Sequence, residues 1–224
     1  MRVINKPDRQ PDFFKDWKVQ FRRDKGAKAV YADLRGRKEY DMLKEALICE
    51  QFHICCYCCN RIDGYSTHIE HFMPRGYKKE GSKKQLDYNN LFASCNGYIQ
   101  GYSTVDKEFC GHRKDNWYDP NFIISPLDAE CERAFDFLPN GEIMASPEGG
   151  VKAEKSIIEI GLNSYALIKA REAAIDAAYV EVGFSEEKID QTKLYDEIEF
   201  YSNPNQEGEL PAFCDAVSFL LKLL

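Results

Sequence analysis

The chain has 224 residues, 44% of them hydrophobic, with 30 Lys and Arg against 37 Asp and Glu and a formal net charge of −7. That length allows a real core in one large or two small domains. No run approaches the roughly 18 consecutive apolar residues of a membrane span, and the opening MRVINKPDRQ lacks the apolar segment of a secretory signal, so the cytoplasm is the expected compartment.

In chain order, Phe13, Phe14, Trp17 and Phe21 recur at helical spacing and predict a short amphipathic helix, followed by a basic stretch with Arg22, Arg23, Lys25 and Lys28. Lys38 to Phe52 predicts a second helix with Tyr40, Leu43, Leu47 and Ile48 on its buried side. RGYKKEGSKKQ, between His71 and Asn89, reads as a lysine-rich loop, and Gly97 to Phe109 as another. Pro139-Asn140-Gly141 between apolar runs predicts a hairpin over Phe135 to Ala145. Asn163 or Ser164 caps a predicted helix to about Val180 with Leu167, Ile168, Ala174 and Ala177 toward the core. Pro211 reads as a first-turn proline ahead of a C-terminal helix striped by Phe213, Val217, Leu220 and Leu224. Between these helices, Ser185 to Glu209 is acidic and expected to be exposed.

The chemistry-bearing residues crowd into Ile54 to Asn116, which holds six of the nine cysteines and three of the four histidines. In a reducing compartment such clustered thiols are metal ligands rather than disulfides. Two CxxC registers overlap, Cys55 with Cys58 and Cys56 with Cys59; the first is preferred, with Cys56 and Cys59 as small packed residues. A tetrahedral structural Zn2+ then takes its other two thiolates from Cys95 and Cys110. Cys49, Cys131 and Cys214 read as core residues.

His68, Glu70 and His71 form the second constellation. HxE would begin a zinc-deaminase signature, but here the CxxC lies upstream. HxxH is one residue short of the zincin spacing that stacks two imidazoles on a helix. What remains is an acid–histidine pair, then Asn90-Leu91, then Cys110-Gly111-His112-Arg113-Lys114.

This order resembles the HNH nuclease family. The resemblance implies an α+β fold, predominantly α, with a zinc-stabilised ββα-metal (HNH, His-Me finger) core over 54–118. A basic helical region at 1–53 and an acidic hairpin and helical region at 119–224 would flank that core. His71 would be the general base, with Asn90 accepting from its ring to fix the tautomer. Glu70 and His112 would hold a catalytic Mg2+ or Mn2+, with His68 a further candidate ligand and Asn116 a rival to His112. Arg113 and Lys114 would clamp phosphate oxygens. Fourteen residues separate Cys95 from Cys110 where the family has a second CxxC, a departure that bears on Cys95, His112 and Asn116.

HIEHFMPRG, LDYNNLFASCNG, FCGHRKDN, ISPLD, the PNG hairpin and the GLN-helix with Arg171 further resemble the HNH nuclease subunits of the Septu antiphage system and of certain retrons. That subgroup implies an ATPase partner of the ABC or SMC-like type and a nucleic-acid substrate, expected to be DNA. Charge is divided accordingly: residues 1–118 hold 22 Lys and Arg against 16 acids, a net of +6, and residues 119–224 hold 8 against 21, a net of −13. The basic half suits phosphates and the acidic half a protein partner, or else both are ordinary solvated surfaces. Two other readings stay open: a zinc-binding adaptor without catalysis, and a stand-alone restriction or repair nuclease.

Overall fold

The computed structural model describes residues 1–104, 108–184 and 189–224, an α+β chain, mostly helical, with two small antiparallel sheets. The aromatic helix is α1 (Asp12–Lys25), which buries Phe14 and Trp17 and ends at Gly26, in the left-handed conformation with φ 67°. A one-turn helix α2 (Tyr31–Leu34) leads to α3 (Lys38–Glu50), whose Leu43, Leu47 and Ile48 face inward. Cys49 is a correction: it is exposed, because the residue after Ile48 turns about 100° off the buried stripe.

Strands β1 (Thr67–His71) and β2 (Leu91–Cys95) pair antiparallel, with His68 opposite Ser94 and Glu70 opposite Phe92. Between them, residues expected as loop form α4 (Lys78–Lys83). Gly81 explains both the helix and why it was hidden: glycine lowers helix propensity, but here any Cβ would collide with the Pro74 carbonyl. The helix thus lies directly on the turn that follows β1. A short helix α5 (Cys110–Lys114) and α3 both pack on β2. Residues 105–107 of the preceding loop lie outside the described residues.

The predicted hairpin is β3 (Phe135–Phe137) with β4 (Ile143–Ala145). Next come α6 (Gly150–Ile160), which composition did not announce, and α7 (Tyr165–Glu181), capped by the Ser164 hydroxyl accepting from the Leu167 amide at 3.5 Å. The buried face of α7 is rotated from expectation, to Leu167, Arg171, Ile175 and Ala178, while Ala177 is exposed. Hydrophobicity misled because the largest buried side chain on that face is Arg171, 1% exposed, donating to the Gly141 carbonyl and, at 3.1 Å, to that of Leu162.

The acidic stretch forms α8 (Gln191–Ser202), mostly exposed and capped by Asp190; its residues 185–188, including Glu186 and Glu187, lie outside the described residues. Helix α9 (Cys214–Leu221) begins three residues after Pro211, with Phe213 in the left-handed region as its cap, so the proline is not in the first turn, and Leu224 is exposed. One hydrophobic cluster includes Leu43, Phe92, Phe135 and Val217, from all three stretches of the chain. Among the described residues, no helix is long and apolar enough to cross a membrane.

Candidate active site beside a four-cysteine cluster

The chain after α3 bends back on itself so that Cys55 and Cys58 face β2, and Cys95 ends that strand. Cys110, with φ 61°, opens α5, and the Ser94 hydroxyl accepts from the Gly111 amide at 3.1 Å to tie the helix start to β2. The sulfurs of Cys55, Cys58, Cys95 and Cys110 all lie within 4.8 Å of one another, and all four residues are buried. Cys58 and Cys95 sulfurs are 3.9 Å apart, close to the about 3.8 Å edge of a tetrahedron built on Zn–S bonds of about 2.3 Å. Backbone amides of Cys95 and Asn60 donate to the sulfurs of Cys55 and Cys58 at 3.4 and 3.5 Å, as they would to thiolates.

Burial pushes the Cys58 and Cys110 thiols well up; at Cys55 burial is outweighed by hydrogen bonds from the neighbouring thiols, which bring it well below the usual value. Four thiols in this space need a cation before they can all ionise. The cluster can therefore hold a zinc ion. Cys56 and Cys59 are buried outside it, and Cys59 packs with Cys214 against Ile54 and Leu210.

Glu70 points from β1 toward α5. Its Oε1 accepts from Lys114 Nζ at 2.9 Å and from the Tyr57 hydroxyl at 3.1 Å; its Oε2 is 3.5 Å from His68 Nε2. Burial alone would raise this carboxyl, but the Lys114 ammonium and His68 hold it below the usual carboxylate range. Lys114 is thus not on the surface: it is 1% exposed and also donates to the His71 carbonyl at 3.2 Å. That corrects its expected contact with phosphate. Arg113 is exposed, its stem packed against Gly161 at the end of α6, and it does not line the groove described below.

His71 Nε2 meets the Gln85 carbonyl at 3.0 Å. A carbonyl only accepts, so Nε2 carries the proton and Nδ1 keeps a lone pair. Burial pushes the imidazole down to about 4 despite that hydrogen bond, so it is neutral at pH 7. Asn90 does not perform the expected task. Its Oδ1 accepts from the Met73 amide at 2.8 Å, and its Nδ2 donates to the carbonyls of Met73 and Lys84 at 3.0 and 3.3 Å. It staples the turn after β1, and Gln85 orients the ring.

The His68 and His112 rings lie 4.0 Å apart between centroids, tilted by 33°. The face of Gly111 lies against both functional atoms of β1: a Cβ there would be 2.6 Å from His68 Nε2 and 2.7 Å from Glu70 Oε2. Glycine keeps that space open. His68, Glu70, His71, His112 and Asn116 all line one groove of about 320 Å³.

Three residues of this groove escaped the sequence reading. Tyr31 sets its ring edge on His71 at 4.5 Å, Arg75 lies over Tyr31 at 4.9 Å, and Arg35 lines the same wall. Arg75 had a local signal, the HFMPRG run; Tyr31 and Arg35 had none, since α2 reaches the groove only through the fold. No protein-family model and no curated protein matches the chain.

Proposed function

We propose that the protein is a metal-dependent HNH endonuclease that hydrolyses phosphodiester bonds of nucleic acid, with β1, β2 and α5 as its ββα-metal core. The observation that carries this reading is the meeting of Glu70 Oε2 and His68 Nε2 at the Cβ-free face of Gly111, in one groove with a neutral His71. The Glu70 carboxylate supplies the hard oxygen that Mg2+ or Mn2+ takes, and an imidazole can complete the set, so Glu70 and His112, joined by His68, would hold the ion. When bound, such an ion stabilises charge building on the phosphate oxygens.

The remaining steps belong to the chain's own groups. His71 Nδ1 takes the proton from the attacking water, and the Nε2–Gln85 hydrogen bond fixes the tautomer that makes this possible. Lys114, with His68, keeps Glu70 ionised. Arg35 and Arg75 replace Lys114 and Arg113 as the cations that face a bound phosphate backbone.

In the cytoplasm, this nuclease would serve an antiphage complex with an ABC or SMC-like ATPase. That part rests on the resemblance and on the acidic residues 119–224, which DNA repels and a basic partner attracts. A second reading, a zinc-held adaptor without catalysis, draws on the Lys114 ammonium, which already neutralises Glu70.

Labelled DNA, RNA and tRNA with Mg2+ or Mn2+, with and without co-purified partners, separate the two. His71→Ala should lower cleavage by at least about 10²-fold and leave zinc in place. Undiminished turnover by the pure variant would remove the assignment, and no cleavage by the wild type under any condition favours the adaptor.

A further inference from the structure

One residue between Cys55 and Cys58, the first two cysteines of the cluster, is neither a zinc ligand nor exposed. Tyr57 is 1% exposed, and its hydroxyl reaches out of the knuckle to Glu70 Oε1, 3.1 Å away on β1. The other donor to that oxygen, Lys114, sits on α5, the helix that Cys110 opens. Both donors are therefore carried by segments that the four cysteines tie together. With Oε1 doubly occupied, the carboxylate plane is set and Oε2 is turned toward His68 Nε2 and the face of Gly111.

We infer that Tyr57 is a positioning residue, which aims the second oxygen of Glu70, beside His68, at the divalent-ion site and links the zinc knuckle mechanically to the groove. The inference rests on the nuclease reading for the identity of that ion. Hydrogen bonds to a ligating carboxylate tune metal affinity by about 10- to 100-fold. Loss of zinc would then weaken the groove's metal site as well as the fold, because Tyr57 and Lys114 would no longer share one frame.

Tyr57→Phe removes one hydroxyl and keeps the ring. Mn2+ binding is read by electron paramagnetic resonance of the full chain, zinc by elemental analysis, and cleavage separately. Mn2+ affinity should fall about 10-fold in Tyr57→Phe with zinc per chain unchanged, and added Mn2+ should restore cleavage. In a Glu70→Gln background the tyrosine substitution should make no further difference, since its effect runs through that carboxylate. Equal Mn2+ affinity in wild type and Tyr57→Phe, or loss of zinc from Tyr57→Phe, overturns the inference and makes Tyr57 a core residue. Wild type that binds Mn2+ through Glu70 but cuts no nucleic acid, with or without co-purified partners, overturns the nuclease reading and leaves the Tyr57 result standing. Wild type that binds no Mn2+ overturns both.

Discussion

Lys114 Nζ lies 2.9 Å from Glu70 Oε1, with neither side chain more than 8% exposed. A cation that the family resemblance assigns to substrate is held inside the protein, where it keeps a carboxylate charged. Removing one partner of a buried pair leaves the other charge uncompensated, at about 3–5 kcal/mol. Lys114→Met should therefore cost that order of stability in urea unfolding, and the double variant Lys114→Met/Glu70→Gln should recover part of it. Additive losses would mean that the two charges do not depend on each other.

Gly111→Ala tests the space between β1 and α5. The added methyl would stand 2.6 Å from His68 Nε2 and 2.7 Å from Glu70 Oε2, closer than any real contact, so one of them must move. Mn2+ binding and cleavage should be lost while zinc remains. A fully active Gly111→Ala protein would mean that the ion site lies elsewhere.

Arg75 and Arg113 should behave differently on charge reversal. Arg75 lines the groove over Tyr31, and Arg113 packs toward α6. Arg75→Glu should weaken nucleic-acid binding and lower the salt slope by roughly one unit, and Arg113→Glu should do so far less. Titrations at several salt concentrations compare them, and an equal effect would return Arg113 to the substrate surface.

Cys58→Ser or Cys110→Ser should lower zinc content and unfold the region around β1 and β2, because a structural zinc contributes on the order of 10 kcal/mol. Elemental analysis and circular dichroism report the two losses together. Well-folded wild-type protein without zinc would leave the cysteines as a buried thiol cluster.

Arg171 joins the hairpin to α7 through the carbonyls of Gly141 and Leu162. Arg171→Met strands both acceptors, at about 1–3 kcal/mol each. It should also change acid stability. The buried Asp215 carboxyl would be raised by desolvation, but the Met1 amino group and Arg171 hold it below its usual value. A depressed carboxylate stabilises the fold above its unfolded pKa of about 3.9, and that contribution is lost as pH falls through the folded value. Without Arg171 the folded value rises, so the midpoint of acid unfolding should move to higher pH.

Much of the site is legible in the sequence. The CxxC at Cys55 and Cys58, the pair Glu70-His71 and the run Cys110-Gly111-His112 are local patterns, and residue type with spacing is enough to mark them. The helices at Phe14 and Leu43 and the PNG hairpin follow likewise from periodicity and turn chemistry. Periodicity does not say what a polar side chain will meet across the fold. Lys114 lies 44 residues from Glu70, and Tyr57 lies 13 away, in a different turn of the chain. Whether such groups pair with each other or with solvent depends on which backbone segments the core brings within hydrogen-bond reach. The family resemblance assigns Asn90 to the His71 ring, but the fold gives that place to Gln85, whose carbonyl any residue at position 85 would carry. Composition and spacing determined which chemistries the chain could hold; tertiary packing decided which cation holds the carboxylate, which carbonyl orients the His71 ring and which arginines face the groove.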